Sequence, residues 1–224
     1  MDRWRSIGWR TVGVKACGLL LWSGGVAGAA PAACDNPMSP VQAGWVWTYR
    51  VSPSDGKKPA SSYALSRAAT GTGFQEQSTS AGKPLETARY TCVGGAQLGL
   101  QPPRLGSITL TRAAVSGTQV AAAPAWKAGA AWSLVWELEG RQGLLSGKAT
   151  LTAKRQVLGR EKVSVPAGTF DAWKVRVGYR VVGRVGPIPL NRDMNDFEEW
   201  YAEGVGLVKS QSSYSTTELL ALQK

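Results

Sequence analysis

From Trp45 onward the chain alternates apolar and polar residues in stretch after stretch, and no stretch keeps a three-to-four-residue apolar period. In "WSLVWELEG" the residues Trp132, Leu134, Trp136 and Leu138 fall on one face, with Ser133, Glu137 and Glu139 on the other. "WKVRVGYRVV" sets Trp173, Val175, Val177, Tyr179 and Val181 against Lys174, Arg176 and Arg180. "KATLTAKRQV" sets Ala149, Leu151 and Ala153 against Lys148, Thr150, Thr152 and Lys154. A period of two is that of a half-buried antiparallel strand. Similar runs cover 45–51, 62–69, 74–80, 86–93, 107–112, 118–122, 197–202, 207–213 and 216–222. About a dozen strands separated by Gly, Pro and Ser clusters predict an all-β fold, an antiparallel meander forming a large curved sheet or an open or half barrel.

The segment "VSVPAGTFDAWKVRV" contains Val165-Pro166-Ala167-Gly168, which predicts a tight type I turn with a glycine bulge between two strands. Such a turn fixes register, since a slip of one residue would move Trp173 and Val175 to the opposite face. "PVQAGWVWTY" and "PAWKAGAAWSL" echo one another, each with a proline, a glycine, and a tryptophan three residues after that glycine. Both stand at a strand entry. The repeat is read as recurring entry chemistry rather than as a duplicated half.

The N-terminus has a different character. Arg3, Arg5, Arg10 and Lys15 precede an apolar run from Ala16 to Ala27, followed by the small-residue sites Ala27-Gly28-Ala29 and Ala30-Pro31-Ala32. That order predicts an export signal over 1–32 and a single β domain over 33–224. The run is shorter than the ~20 residues of a spanning helix. The expected location is the periplasm, the cell envelope or the exterior.

Cys17 would leave with the signal, so Cys34 and Cys92 would remain, and in an oxidising compartment they are expected to form a disulfide. The alternative is a lipid anchor on Cys34. The residues before it, "PAA", lack the leucine-like residue that normally stands three positions ahead of a lipidated cysteine. Without residues 1–32, which hold four basic residues and one acidic, 22 cations face 14 anions, a net charge of +8. The charges are scattered, so a soluble basic surface is the expected reading, peripheral contact with an anionic membrane surface is its alternative, and a nucleic-acid partner is not expected.

Three segments together resemble a group of exported bacterial β-proteins of unknown function: "PVQAGWVWTY", "VSVPAGTFDAWKV" and "EEWYAEGVGLVKSQ". The resemblance implies an exported antiparallel β-fold, similar to the curved half-barrels of periplasmic lipoprotein carriers. It implies no reaction.

The chain contains no histidine, which removes the commonest general base and metal ligand. The acids Asp193, Asp196, Glu198, Glu199 and Glu203 are dense enough to raise glycosidase or calcium chemistry. Their spacing matches no calcium loop, and they are read as a solvated hairpin whose carboxylates pair with neighbouring cations. "CVGGAQLGLQ" is read as turns or bulges, without the lysine of a phosphate loop. No catalytic residue, metal or cofactor is expected. The aromatics offer more, because a curved sheet leaves a concave face that Trp and Leu side chains would line. Trp132, Trp136, Trp173 and Tyr179 share faces in the two clearest strands and are the candidate lining of a site for a lipid or other apolar envelope component. The alternatives are a structural or assembly protein presenting a free sheet edge and a carboxylate-dependent hydrolase.

Overall fold

The computed structural model describes residues 32–103 and 108–224. The predicted export signal therefore lies, apart from Ala32, outside the described residues. Twelve strands follow in chain order: β1 (Val46–Pro53), β2 (Ser61–Thr70), β3 (Gly73–Ser80), β4 (Lys83–Val93), β5 (Ala96–Gly99), β6 (Thr109–Gly117), β7 (Ala131–Gln142), β8 (Leu145–Val165), β9 (Gly168–Val185), β10 (Ile188–Ala202), β11 (Gly206–Gln211) and β12 (Ser215–Gln223).

They form one sheet in the order β5-β4-β3-β2-β1-β12-β11-β10-β9-β8-β7-β6. Each named pairing is antiparallel, and each joins sequence neighbours except β1 with β12. The two edges are thus β5 and β6, consecutive in the chain. Among the described residues Gln97 of β5 bridges to Val120, three residues beyond the end of β6, so the sheet curls into a barrel that is closed at one end and unzipped toward the other. The predicted all-β meander stands, in the open-barrel form.

Several strand limits differ from the sequence reading. Residues 118–122 form no strand: Val120 makes the closing bridge, and a 3-10 turn (Ala123–Ala125) follows. β5 lies inside the segment read as turns; only Gly94-Gly95, both at positive φ, make the turn into it. The acid-rich segment, read as a hairpin with a strand only from Phe197, lies in β10 from Asp193 to Ala202, with Glu203 in the turn that follows. Its alternation is broken by a bulge between Met194 and Phe197, which pair with Tyr179 and Val177. Inserted residues reset the phase of the strand, so that Met194 and Phe197 fall on one face although they are three apart.

The turn at Pro166-Ala167 lies where the sequence placed it, with Val165 paired to Gly168. It also joins distant parts of the barrel, since the Ala167 N–H donates to the Leu219 carbonyl of β12 at 3.1 Å. Val163 and Val165 pack there with Trp47, Tyr49, Trp200, Val208 and Leu219. The strand-entry echo has a conformational basis: Gly44 and Gly129 hold φ of +83° and +82°, a region that favours glycine. The matched Trp47 and Trp132 donate their indole N–H groups to the carbonyls of Val205 and Gln119.

The closed end is strapped by the N-terminal segment. Cys34 and Cys92 form a disulfide, as expected. Asn36, fully buried, donates to the carbonyls of Gly95 and Ala121 at 2.8 and 2.9 Å. Closing a loop of 58 residues removes about 4 kcal/mol of chain entropy from the unfolded state.

Candidate functional site

Period two puts Leu134, Trp136 and Leu138 of β7, Leu151, Ala153 and Arg155 of β8, and Val177, Tyr179 and Val181 of β9 on one face. The register supports this by pairing Trp136 with Leu151, Leu151 with Val181 and Ala153 with Tyr179. That face is the barrel interior. Leu134, Trp136, Leu138, Leu151 and Ala153 form a buried cluster, and Leu98, Leu110 and Val115 pack on it from β5 and β6.

Above this cluster the interior is not filled. A cavity of about 330 Å³ opens between β6 and β10 at the end where the β7–β8 and β9–β10 hairpins turn. Its wall includes Leu110, Leu138, Leu151, Val181, Leu190 and Met194, with Tyr179 below. The volume falls within the ~300–1,000 Å³ of small-molecule sites. Arg141, Lys148 and Arg184 stand at its margin. Lys148 pairs with Glu139 at 3.0 Å, whereas Arg141 and Arg184 make no ion pair among the described residues.

Below the cavity the interior becomes polar. Arg155 and Glu199, 5% and 9% exposed, form an ion pair with Nε 3.8 Å from Oε2. The Tyr201 hydroxyl donates to the same Oε2 at 2.9 Å. Burial, the largest single influence, works to lower the Arg155 pKa, but the charge of Glu199 together with the Tyr201, Tyr179 and Tyr90 phenols outweighs it and the net shift is upward. The Tyr201 phenol is pushed well above its ordinary value, first by burial and then by the adjacent carboxylate. Nε and Nη1 of Arg155 have no hydrogen-bond partner among the described residues.

A second, half-buried pair is fully engaged. Arg67 reaches Glu76 at 2.8 Å and donates to the Ser39 hydroxyl and the Pro40 carbonyl. Its guanidinium lies 5.1 and 5.4 Å from the ring centroids of Trp47 and Phe74.

Of the four aromatics expected to line a site, Tyr179 borders the cavity and Trp136 belongs to the cluster beneath it. Trp132 is at the closed end, 5.2 Å from Trp126. Trp173 lies under the Arg160 guanidinium at 4.5 Å. Neither borders the cavity. Most of the wall is aliphatic: Leu138, Leu151 and Val181 stand in strands legible in the sequence but outside the candidate lining, and Leu190 and Met194 stand in no run read there as a strand. Leu190 and Met194 are separated from the legible part of β10 by the bulge, and Leu110 precedes a register shift in β6 between Leu110 and Arg112.

Four acids of this segment each pair with a different cation. Asp193 pairs with Arg180, Glu198 with Lys174 and Glu199 with Arg155, and Glu203, in the turn after β10, pairs with Arg160. Among the described residues no group of three or more Asp, Glu or Cys is placed to hold a metal ion.

The model of the DUF3108-like family matches residues 146–222, the run from β8 to β12. No curated protein matches the chain. Among solved structures, a protein of Parabacteroides distasonis described as a lipoprotein superposes with a TM-score of 0.52 at 18% identity. The match covers 84% of this chain and 99% of that one. The two share a fold. A Bacteroides fragilis protein described as exported, with a YmcC-like fold, gives a TM-score of 0.49 at 18% identity over 84% of this chain and all of its own.

Proposed function

We propose that this chain is an exported, non-enzymatic protein of the cell envelope that holds an apolar, lipid-like component at the open end of its barrel. The observation that carries the reading is the aliphatic cavity between β6 and β10 with arginines at its margin. An alkyl chain entering it would exchange water for Leu and Val side chains, and an anionic headgroup left at the mouth would meet Arg141 and Arg184. Residues 1–32 support export. The separate pairing of Asp193, Glu198 and Glu199 and the lack of histidine favour binding over hydrolysis.

The deciding experiment is native mass spectrometry of protein purified from its own envelope fraction, followed by organic extraction. A reproducible lipid adduct, lost when Leu190 is replaced by Asp, is the expected result. A bare mass at every preparation would turn the reading toward the assembly role. That second reading has its own observation: among the described residues β6 pairs with β7 alone, which leaves the outer edge of Thr109–Gly117 without a strand partner there. A bare protein that cross-links in cells through β6 would establish it.

A further inference from the structure

The two hairpin turns at the cavity mouth carry apolar side chains that the fold does not cover. Leu144, at the tip of the β7–β8 turn, is 104% exposed, and Ile188, where β10 begins, is 56% exposed. Leu145 is 44% exposed and also borders the cavity. The two turns lie side by side, because the Gly186 N–H donates to the Ser146 carbonyl at 2.8 Å. Single exposed leucines are ordinary on protein surfaces, but three large apolar residues gathered on two adjoining tips are a feature.

The charge around these tips has one dominant sign. Residues 138–148 and 181–192 hold Arg141, Lys148, Arg184 and Arg192 against a single carboxylate, Glu139. Glu139 is shared between Lys148 at 3.0 Å and Arg112 at 3.7 Å, so positive charge is in excess. The cations stand behind the apolar tips along the strands, not among them. An apolar tip backed by a basic collar matches the layering of a bilayer surface, with acyl chains below and anionic headgroups above. Three side chains on convex turns would bury far less than the ~1,200 Å² of a stable protein interface.

We infer that this end of the barrel docks on an anionic membrane surface. Leu144, Leu145 and Ile188 enter the interfacial layer, while Arg141, Lys148 and Arg184 meet the headgroups. The cavity mouth then faces the bilayer. Docking does not require the cavity to be occupied, so this inference and the ligand reading fail separately.

The test is co-sedimentation of the purified protein with vesicles of phosphatidylcholine alone and of phosphatidylcholine mixed in equal parts with phosphatidylglycerol. The wild type is expected to pellet with the anionic vesicles, to bind the neutral ones far less, and to be released by high salt. Replacing Leu144 and Ile188 together by Glu is expected to weaken anionic-vesicle binding at least ~tenfold. Both positions are exposed and outside the cavity wall, so the fold is preserved, as an unchanged thermal transition would show. Binding of a fluorescent fatty acid in free solution, measured on the same variant, reports the cavity independently. Failure of the wild type to bind anionic vesicles, or binding undiminished in the double variant, overturns the inference. So does a wild type that self-associates through these tips and whose double variant is monomeric without any change in vesicle binding.

Discussion

Arg155 and Glu199 meet across the barrel interior, 3.8 Å apart from Nε to Oε2 and each less than a tenth exposed, with Tyr201 completing the carboxylate's coordination. Removing one member of a buried ion pair leaves the other charged and desolvated, at a cost of about 3–5 kcal/mol. Glu199→Leu alone is therefore expected to destabilise the protein by that order. The double replacement Arg155→Met with Glu199→Leu is expected to recover much of the loss, because two apolar residues of similar size would share the space. Urea denaturation of the wild type, both single variants and the double variant closes the cycle; additive losses would show that the pair is not coupled.

The interior tyrosines give the stability a defined alkaline limit. Burial raises the pKa of Tyr201 and Tyr49, and pushes Tyr63 up to about 12. Their pKa values are higher in the folded than in the unfolded chain. Their contribution is therefore complete below the unfolded value near 10 and is lost as pH rises through the folded values. Denaturant stability should be flat from neutral pH to about pH 9 and fall above about pH 10. Tyrosinate absorbance should develop together with unfolding for these buried groups. A stability that holds constant to strongly alkaline pH would contradict the enclosed positions of these phenols.

How far the sequence shows the fold depends on where its period of two survives. β7, β8 and β9 keep their alternation over long runs, and there the inward face can be read directly, down to the pairing of Trp136 with Leu151. Across β10 the bulge between Met194 and Phe197 breaks the pattern. Charged residues on both sides of the break then make a strand resemble a loop. Of the candidate aromatics, Tyr179 and Trp136 lie at or beneath the cavity and Trp132 and Trp173 do not, for a related reason. A face can be read from one strand, but height along the barrel depends on which strands end where. Trp132 and Trp136 share a face and yet lie at different levels of the interior. The pairing of β1 with β12 in the middle of the sheet is a long-range contact that no local pattern encodes.

The disulfide makes a prediction about the closed end. Cys34–Cys92 anchors the segment through which Asn36 holds the carbonyls of Gly95 and Ala121, close to the bridge from Gln97 of β5 to Val120. Replacing both cysteines by Ser is expected to lower stability by about 2–5 kcal/mol. It should also raise amide exchange first at Gln97, Gln119 and Val120, whose N–H groups make the closing bonds. Faster exchange confined to β7–β9, with the closing bonds unaffected, would mean that the strap does not hold the barrel shut.

The cavity wall allows a sharper test than deletion. Leu190 borders the cavity while remaining outside the buried clusters, so a larger side chain there grows into open space. In a packed core, overfilling typically costs about 1–3 kcal/mol; here Leu190→Trp should leave stability within about 1 kcal/mol of wild type. The indole would occupy a substantial part of the 330 Å³. Affinity for a fluorescent fatty acid is then expected to fall about tenfold or more, as the tail loses several buried methylenes at ~0.8 kcal/mol each. Leu138→Ala works in the opposite direction: it enlarges the floor, destabilises by about 2–5 kcal/mol, and admits a longer tail. Titrating both variants with fatty acids of increasing chain length should displace the optimum length in opposite senses. An optimum that does not move in either would place the apolar site elsewhere on the barrel.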